Sequence, residues 1–168
     1  MDITSASSPF YKQQLSWLLQ AKEIAPEICD WIGIYFKEAA LIGGVSKDLV
    51  LGAFIGEPTE HTRIPISQGI CGLALRTESL VNVPDVSLAA EHIACSLKTR
   101  SELVIPLKDK TGTFIAELDI DSHKLNAFSP ELENKFRQFA ESFAELIERS
   151  SLNGKSETER DSNLYMSN

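Results

Sequence analysis

From Glu117 to Asp121 the chain alternates carboxylate and aliphatic residues without a break. A period of two puts successive side chains on opposite faces of a strand, so Glu117, Asp119 and Asp121 share one face and Leu118 and Ile120 the other. The aliphatic face, extended by Phe114 and Ala116, calls for burial against helices. The acidic face is either wet or part of a site that uses carboxylates. On the preceding segment Glu102 stands opposite Leu103, Ile105 and Leu107 in phase and is expected to join the acidic side. Lys108 to Gly112, a short polar turn ending in glycine, makes Glu102 to Leu107 and Thr113 to Ile120 a hairpin.

A second alternation begins at Asp30, with Ile32, Ile34 and Phe36 on one face and Trp31, Gly33 and Tyr35 on the other. Before it, Pro9 to Ile28 predicts a helix with Leu15, Leu18 and Leu19 on its buried side. Further strands are predicted over Asp48 to Gly56, over Thr62 to Ile66 with Pro65 at an edge, and over Leu80 to Val83. Gly69 opens a short helix over Ile70 to Arg76, and Asp85 to Arg100 reads as loop with one helical turn. Ser129 caps a last helix with Pro130 at its first position, and Leu132, Phe136, Phe139, Phe143, Leu146 and Ile147 form one long apolar stripe along it. This order predicts an α/β (α+β) fold, a central antiparallel sheet with the N- and C-terminal helices on one face and the other face left for a ligand. One domain is expected over residues 1–152. Residues 153–168 are too polar to offset the entropy of ordering and are expected to be a loose tail.

Charge narrows the partners. With 16 basic against 24 acidic residues the formal net charge is −8, a field that disfavours nucleic acid and anionic membranes. No apolar run approaches the roughly 18 residues of a spanning helix, and the N-terminus lacks a basic segment followed by an apolar one, so a cytoplasmic protein is expected. Cys29, Cys71 and Cys95 are odd in number and widely spaced, unlike a disulfide framework or a zinc site, and are expected to be free thiols. The apolar stripe of the last helix packs on the chain's own sheet or buries a homodimer interface; the pattern fits both.

Several residues carry chemical potential. Trp31 and Tyr35 lie on the non-core side of their strand, where two large aromatics fit a pocket lining better than open water. Cys71 follows Gly69 at a helix start, where backbone N–H groups lower a thiol pKa or bind a carboxylate; it also reads as a small buried hydrophobe. Cys95 sits beside His92, a neighbour able to hold or move a proton, and reads equally as a reactive thiol or a packed one. Cys29 looks structural. His61, His92 and His123 have no metal-ligand spacing, and Gly69 and Gly72 lack the lysine of a phosphate loop, so neither a metal nor a cofactor is called for.

Five ordered blocks resemble the free methionine-(R)-sulfoxide reductases, which are GAF-domain enzymes. They are Trp31-Ile32-Gly33-Ile34-Tyr35, Arg63-Ile64-Pro65 leading to Gly69-Ile70-Cys71-Gly72, His92-Ile93-Ala94-Cys95, Ser101-Glu102-Leu103, and Leu118-Asp119-Ile120-Asp121-Ser122. The resemblance implies reduction of free L-methionine-(R)-sulfoxide, with Cys95 as the nucleophile, Cys71 as the resolving thiol, and thioredoxin or a small thiol as reductant. It places Glu102 and Asp121 among the catalytic acids and Asp119 on the substrate's ammonium. Trp31 and Tyr35 would cage the methyl group, and backbone N–H groups around Gly69 and Ile70 would hold the carboxylate.

The chain departs from that pattern in one place. Well-known members carry a further cysteine in the loop before Arg-Ile-Pro, and here the loop reads Glu57-Pro58-Thr59-Glu60-His61-Thr62. Turnover would then need Cys71 to reach Cys95, or an external thiol. The alternative is a non-catalytic GAF domain that binds a small amino-acid-like or redox ligand.

Overall fold

The computed structural model describes residues 3–42, 46, 48–89 and 98–149. Helix α1 (Pro9–Lys22) leads into β1 (Trp31–Lys37), a short α2 (Glu38–Ile42), β2 (Leu49–Ile55) and β3 (Arg63–Ile64). Helix α3 (Gly69–Thr77) and β4 (Val81–Val83) follow, then the hairpin β5 (Ser101–Lys108) and β6 (Phe114–Ser122), and α4 (Pro130–Ala140). The strands form one six-stranded sheet in the order β3-β2-β1-β6-β5-β4, each neighbouring pair antiparallel. This is the α+β sheet the alternations predict. Strand β1 pairs with β6, so the two strands with the clearest two-faced pattern lie side by side at the centre.

Both sheet faces are covered. On one, Ile32, Ile34, Phe36, Leu103, Ile105, Leu118 and Ile120 pack against Phe10, Trp17 and Leu18 of α1 and Phe136 of α4. On the other, Trp31, Tyr35, Leu51 and Val104 pack against Ile70, Cys71, Ala74 and Leu75 of α3. Helix α3 therefore roofs the face that carries the acids.

Several expectations are corrected. Helix α1 ends at Lys22, not Ile28, and Leu19 is 55% exposed. The buried side runs through Phe10, Gln14, Trp17, Leu18 and Ala21, a spacing that tilts the stripe away from Leu19. The buried Gln14 has a structural task. Register shifts between Gly33 and Tyr35, an irregularity that frees a backbone donor on β2, and the Gln14 Oε1 accepts from the Ala53 N–H at 2.8 Å.

Phe114 was expected on the core face with Ala116. A second irregularity, between Leu107 and Lys108, pairs Ala116 with Leu107 and Phe114 with Lys108. The extra residue, Ile115, reverses the phase, and Phe114 joins the acid-bearing side, its ring 5.3 Å from the Lys37 Nζ. The last helix is also interrupted. Ser129 caps α4 as expected, accepting from the Leu132 N–H at 3.3 Å, but α4 stops at Ala140 and helix resumes only over 143–149. At the break the Ser142 hydroxyl donates to the Phe139 carbonyl at 2.7 Å and accepts from the Trp17 indole N–H at 2.9 Å, an alternative to the helical ladder. Trp17 also meets Phe139 and Phe143, with ring centroids 4.8 and 5.4 Å apart, so this joint fastens α1 to the C-terminal segment.

Candidate functional site

Strand register builds the floor of the site. Across the β1–β6 ladder Trp31 faces Asp121, Gly33 faces Asp119 and Tyr35 faces Glu117. Across the β5–β6 ladder Glu102 faces Asp121, Val104 faces Asp119 and Pro106 faces Glu117. Residues directly opposite on one sheet face lie about 4.5–5.5 Å apart at Cβ. Glu102, Glu117, Asp119 and Asp121 are thereby gathered on one surface, as the alternation predicts.

That surface is not wet. Glu117 is fully buried, and Asp119, Asp121 and Glu102 are only 1, 3 and 4% exposed. Of the two readings of the acidic face, the wet one is excluded by α3, whose Ile70, Cys71 and Ala74 lie over it. Loss of solvent pushes Glu117, Asp119 and Asp121 well above the ordinary carboxylate range. Neighbouring negative charge adds to this, from Glu102 at Asp119 and from Asp119 at Asp121, while the Cys71 thiol beside Glu117 and Asp119 partly offsets it. No nitrogen or oxygen donor reaches the carboxylate oxygens of Glu117 or Asp119 among the described residues. Burial thus favours the protonated form of these groups, and a positive charge entering the site would favour the ionised one.

The thiol and the acids meet at one point. The Cys71 Sγ and one oxygen each of Glu102 and Asp119 all lie within 4.8 Å of one another. Cys71 stands in the first turn of α3, after Gly69 and Ile70. The helix comes this close because Gly72 lets it settle on the preceding loop, where a Cβ would stand 2.7 Å from the Ile66 carbonyl oxygen. Gly69 at φ 70° starts the helix in a conformation that favours glycine.

The aromatic wall is held from the loop before β3. The Trp31 Nε1 donates to the Glu57 carbonyl at 3.1 Å and the Tyr35 hydroxyl to the His61 carbonyl at 2.7 Å. Phe54 stacks on Trp31 at 5.7 Å between centroids. Beside Trp31 and Asp121 opens a cleft of about 200 Å³, lined also by Asp30, Glu57, Thr59, Thr99 and His123. A larger hollow of about 550 Å³ lies between α1 and the C-terminal helix, around Gln13, Gln20 and Arg149. It touches none of the acids, so the smaller cleft is the one joined to the chemistry.

Trp31, Tyr35, Ile70 and Cys71 thus pack together over the face that carries Glu102, Asp119 and Asp121, with Gly69 at the start of the roofing helix. Cys95 and its neighbour His92 lie outside the described residues. Sequence reasoning did not single out Asp30, Glu57 or His123. The Asp30 N–H donates to the Asp121 carbonyl and its carboxylate accepts from the His123 N–H at 2.7 Å, contacts made only by the pairing of β1 with β6. Glu117, visible in the same alternation as its neighbours, belongs with the site acids. Cys29, read as structural, is buried on the helical side of the sheet.

An antiparallel sheet with helices over both faces and a buried acidic cluster beneath one of them defines an α+β sandwich domain. The chain belongs to the GAF domain family, whose model matches residues 17–150. It is 42% identical over 106 residues to GAF domain-containing protein A of Dictyostelium discoideum, a match covering 63% of this chain and 61% of that protein. It is 33% identical over 129 residues to the free methionine-R-sulfoxide reductase of Saccharomyces cerevisiae, covering 77% of this chain and 66% of the enzyme. The matched segment therefore spans under two thirds of each of these relatives. The solved type II free methionine-R-sulfoxide reductase of Thermoplasma acidophilum superposes with a TM-score of 0.70 at 36% identity, covering 82% of this chain and 91% of that one.

Proposed function

We propose that this chain reduces free L-methionine-(R)-sulfoxide to methionine. The observation that carries the reading is the set of buried, proton-holding carboxyls packed against Cys71 beneath Trp31 and Tyr35. Likeness to reductases of that name supports it. The Cys95 thiolate attacks the sulfoxide sulfur, and Glu102 or Asp121 gives a proton to the oxygen as it leaves sulfur. Methionine is released and the oxygen stays on Cys95 as a sulfenic acid. The Cys71 thiol then attacks that sulfur, water departs, and a Cys71–Cys95 disulfide remains for thioredoxin or a small thiol to reduce.

Binding follows from the same residues. Asp119, which no nitrogen or oxygen donor reaches among the described residues, gives its proton up and pairs with the substrate's ammonium. Trp31 and Tyr35 enclose the methyl end, and the first turn of α3 at Gly69 and Ile70 offers N–H groups to the carboxylate. Recognition of both amino-acid termini selects the free amino acid over a residue in a protein chain.

The test is consumption of free L-methionine-(R)-sulfoxide with thioredoxin and its reductase, comparing the parent chain with Cys95→Ser and Cys71→Ser. Turnover abolished by Cys95→Ser is the expected result. The loop from Glu57 to Thr62, which has no cysteine, favours a second reading as a ligand-binding module without turnover. An inactive parent with both thioredoxin and dithiothreitol, alongside ligand binding in calorimetry, would replace the first reading with the second.

A further inference from the structure

Three residues proposed above for sulfoxide reduction also form a set of metal-ligand type. Cys71, Glu102 and Asp119 come from three separate elements, α3, β5 and β6, and are only 2, 4 and 1% exposed. The Cys71 Sγ and one oxygen of each carboxylate lie within 4.8 Å of one another, and both oxygens of Asp119 are buried with no nitrogen or oxygen donor among the described residues, the Cys71 thiol standing beside them. A buried carboxylate whose only neighbouring donor is a thiol is suited to a cation that the thiolate can share.

From this we infer that Cys71, Glu102 and Asp119 bind a thiophilic divalent cation, of which Zn²⁺ is the type. One sulfur and two oxygens match a three-ligand zinc site with a fourth position left open, at bond lengths of about 2.3 Å to sulfur and about 2.0–2.2 Å to oxygen. Tetrahedral placement at those lengths puts the ligand atoms roughly 3.3–3.8 Å apart, which side-chain rotation of about 1 Å supplies. Mg²⁺ and Ca²⁺ are disfavoured, since they require six or more oxygen ligands and gain little from a thiolate. On binding, the Cys71 S–H bond breaks, an S–metal bond forms and the proton leaves to solvent, with no change of oxidation state. The bound ion takes the place of the ammonium proposed for Asp119 and ties up Cys71, so it inhibits the proposed turnover. Metal binding itself does not depend on that reading: a chain that binds zinc without reducing sulfoxide leaves this inference standing.

The experiment is titration of the reduced, metal-stripped full chain with Zn²⁺ by calorimetry and with Cd²⁺ by the thiolate-to-metal charge-transfer absorption. One ion per chain is expected, with the Cd²⁺ band lost in Cys71→Ser and retained in Cys29→Ser. Asp119→Asn and Glu102→Gln should each weaken Zn²⁺ binding by about tenfold or more, measured on variants whose melting transition shows them folded. No Zn²⁺ binding by the parent chain, or a Cd²⁺ band that survives Cys71→Ser, would overturn the inference. So would Zn²⁺ affinity unchanged in both carboxylate variants.

Discussion

Gly33 sits directly across from Asp119 in the β1–β6 ladder, and the Trp31 indole occupies the space a side chain at Gly33 would take. A Cβ there would stand 2.3 Å from the Trp31 Cη2, 2.8 Å from its Cζ3 and 3.1 Å from the Phe54 Cβ. The missing side chain thus lets the ring lie flat beside the acids.

Gly33→Ala is therefore expected to swing Trp31 away and break its bond to the Glu57 carbonyl. The cost of such overpacking is about 1–3 kcal/mol. Tryptophan fluorescence, with Trp31→Phe to isolate the contribution of Trp17, should show a changed Trp31 environment. Sulfoxide affinity should fall more than stability does; an unchanged spectrum would show that the ring is not held by this contact.

Stability should depend on pH through the buried acids. Glu117, Asp119 and Asp121 hold protons in the folded chain that the unfolded chain releases near pH 4. The folded state then binds more protons, and its stability falls as pH rises from the unfolded carboxylate range toward neutrality. The Glu38 carboxyl, held near pKa 2 by hydrogen bonds from Arg63 and Ser46, has the opposite sign, and its contribution is lost only as pH falls from about 4.5 toward 2. The decline with rising pH is therefore the contribution expected of the buried cluster. Glu117→Gln is predicted to raise the melting temperature at pH 7 and flatten its decline between pH 5 and 7, by about 2–4 °C for each kcal/mol gained. Parallel melting profiles for parent and variant would count against this.

Gln14→Ala should destabilise the fold without entering the site. It strips the acceptor from the Ala53 N–H and the donor to the Ile3 carbonyl, and a buried polar group left unpaired costs about 1–3 kcal/mol. Chemical denaturation should show a lower midpoint, and hydrogen exchange should be fastest to change at Ala53. Ligand affinity, measured well below the midpoint, should stay close to that of the parent chain.

Cys29 is predicted to be inert. Burial, opposed in part by the Lys22 ammonium, pushes its thiol up to about 11, and Lys22 donates to the Cys29 carbonyl rather than to its sulfur. The thiolate is the reacting species, so Cys29 should resist iodoacetamide at pH 8 in the native protein and react once it is unfolded. Mass mapping of the alkylated peptides checks this, and rapid native labelling at Cys29 would contradict it.

Local pattern by itself determined a good deal. The alternation from Glu117 to Asp121, the phase of Glu102 and the opposition of Trp31 and Tyr35 to Ile32, Ile34 and Phe36 place these residues on their faces by local pattern alone. Period-two geometry is a property of the strand alone, and Ser129 with Pro130 marks a helix start for an equally local reason. The family resemblance then implies a single site for the same residues.

Tertiary structure decided what covers each face. Nothing near Asp119 in sequence shows that α3 roofs it, yet that roof turns an ordinary acidic face into a proton-holding pocket and brings Cys71 to Glu102 and Asp119. One added residue at Ile115 moved Phe114 to the other side, and the pairing of β1 with β6 joined Asp30 to Asp121 and His123. The sequence sets the face to which a side chain points, because that depends on neighbouring dihedral angles. Burial, proton affinity and partnership depend on segments tens of residues away, and are settled only when the sheet closes and the helices pack on it.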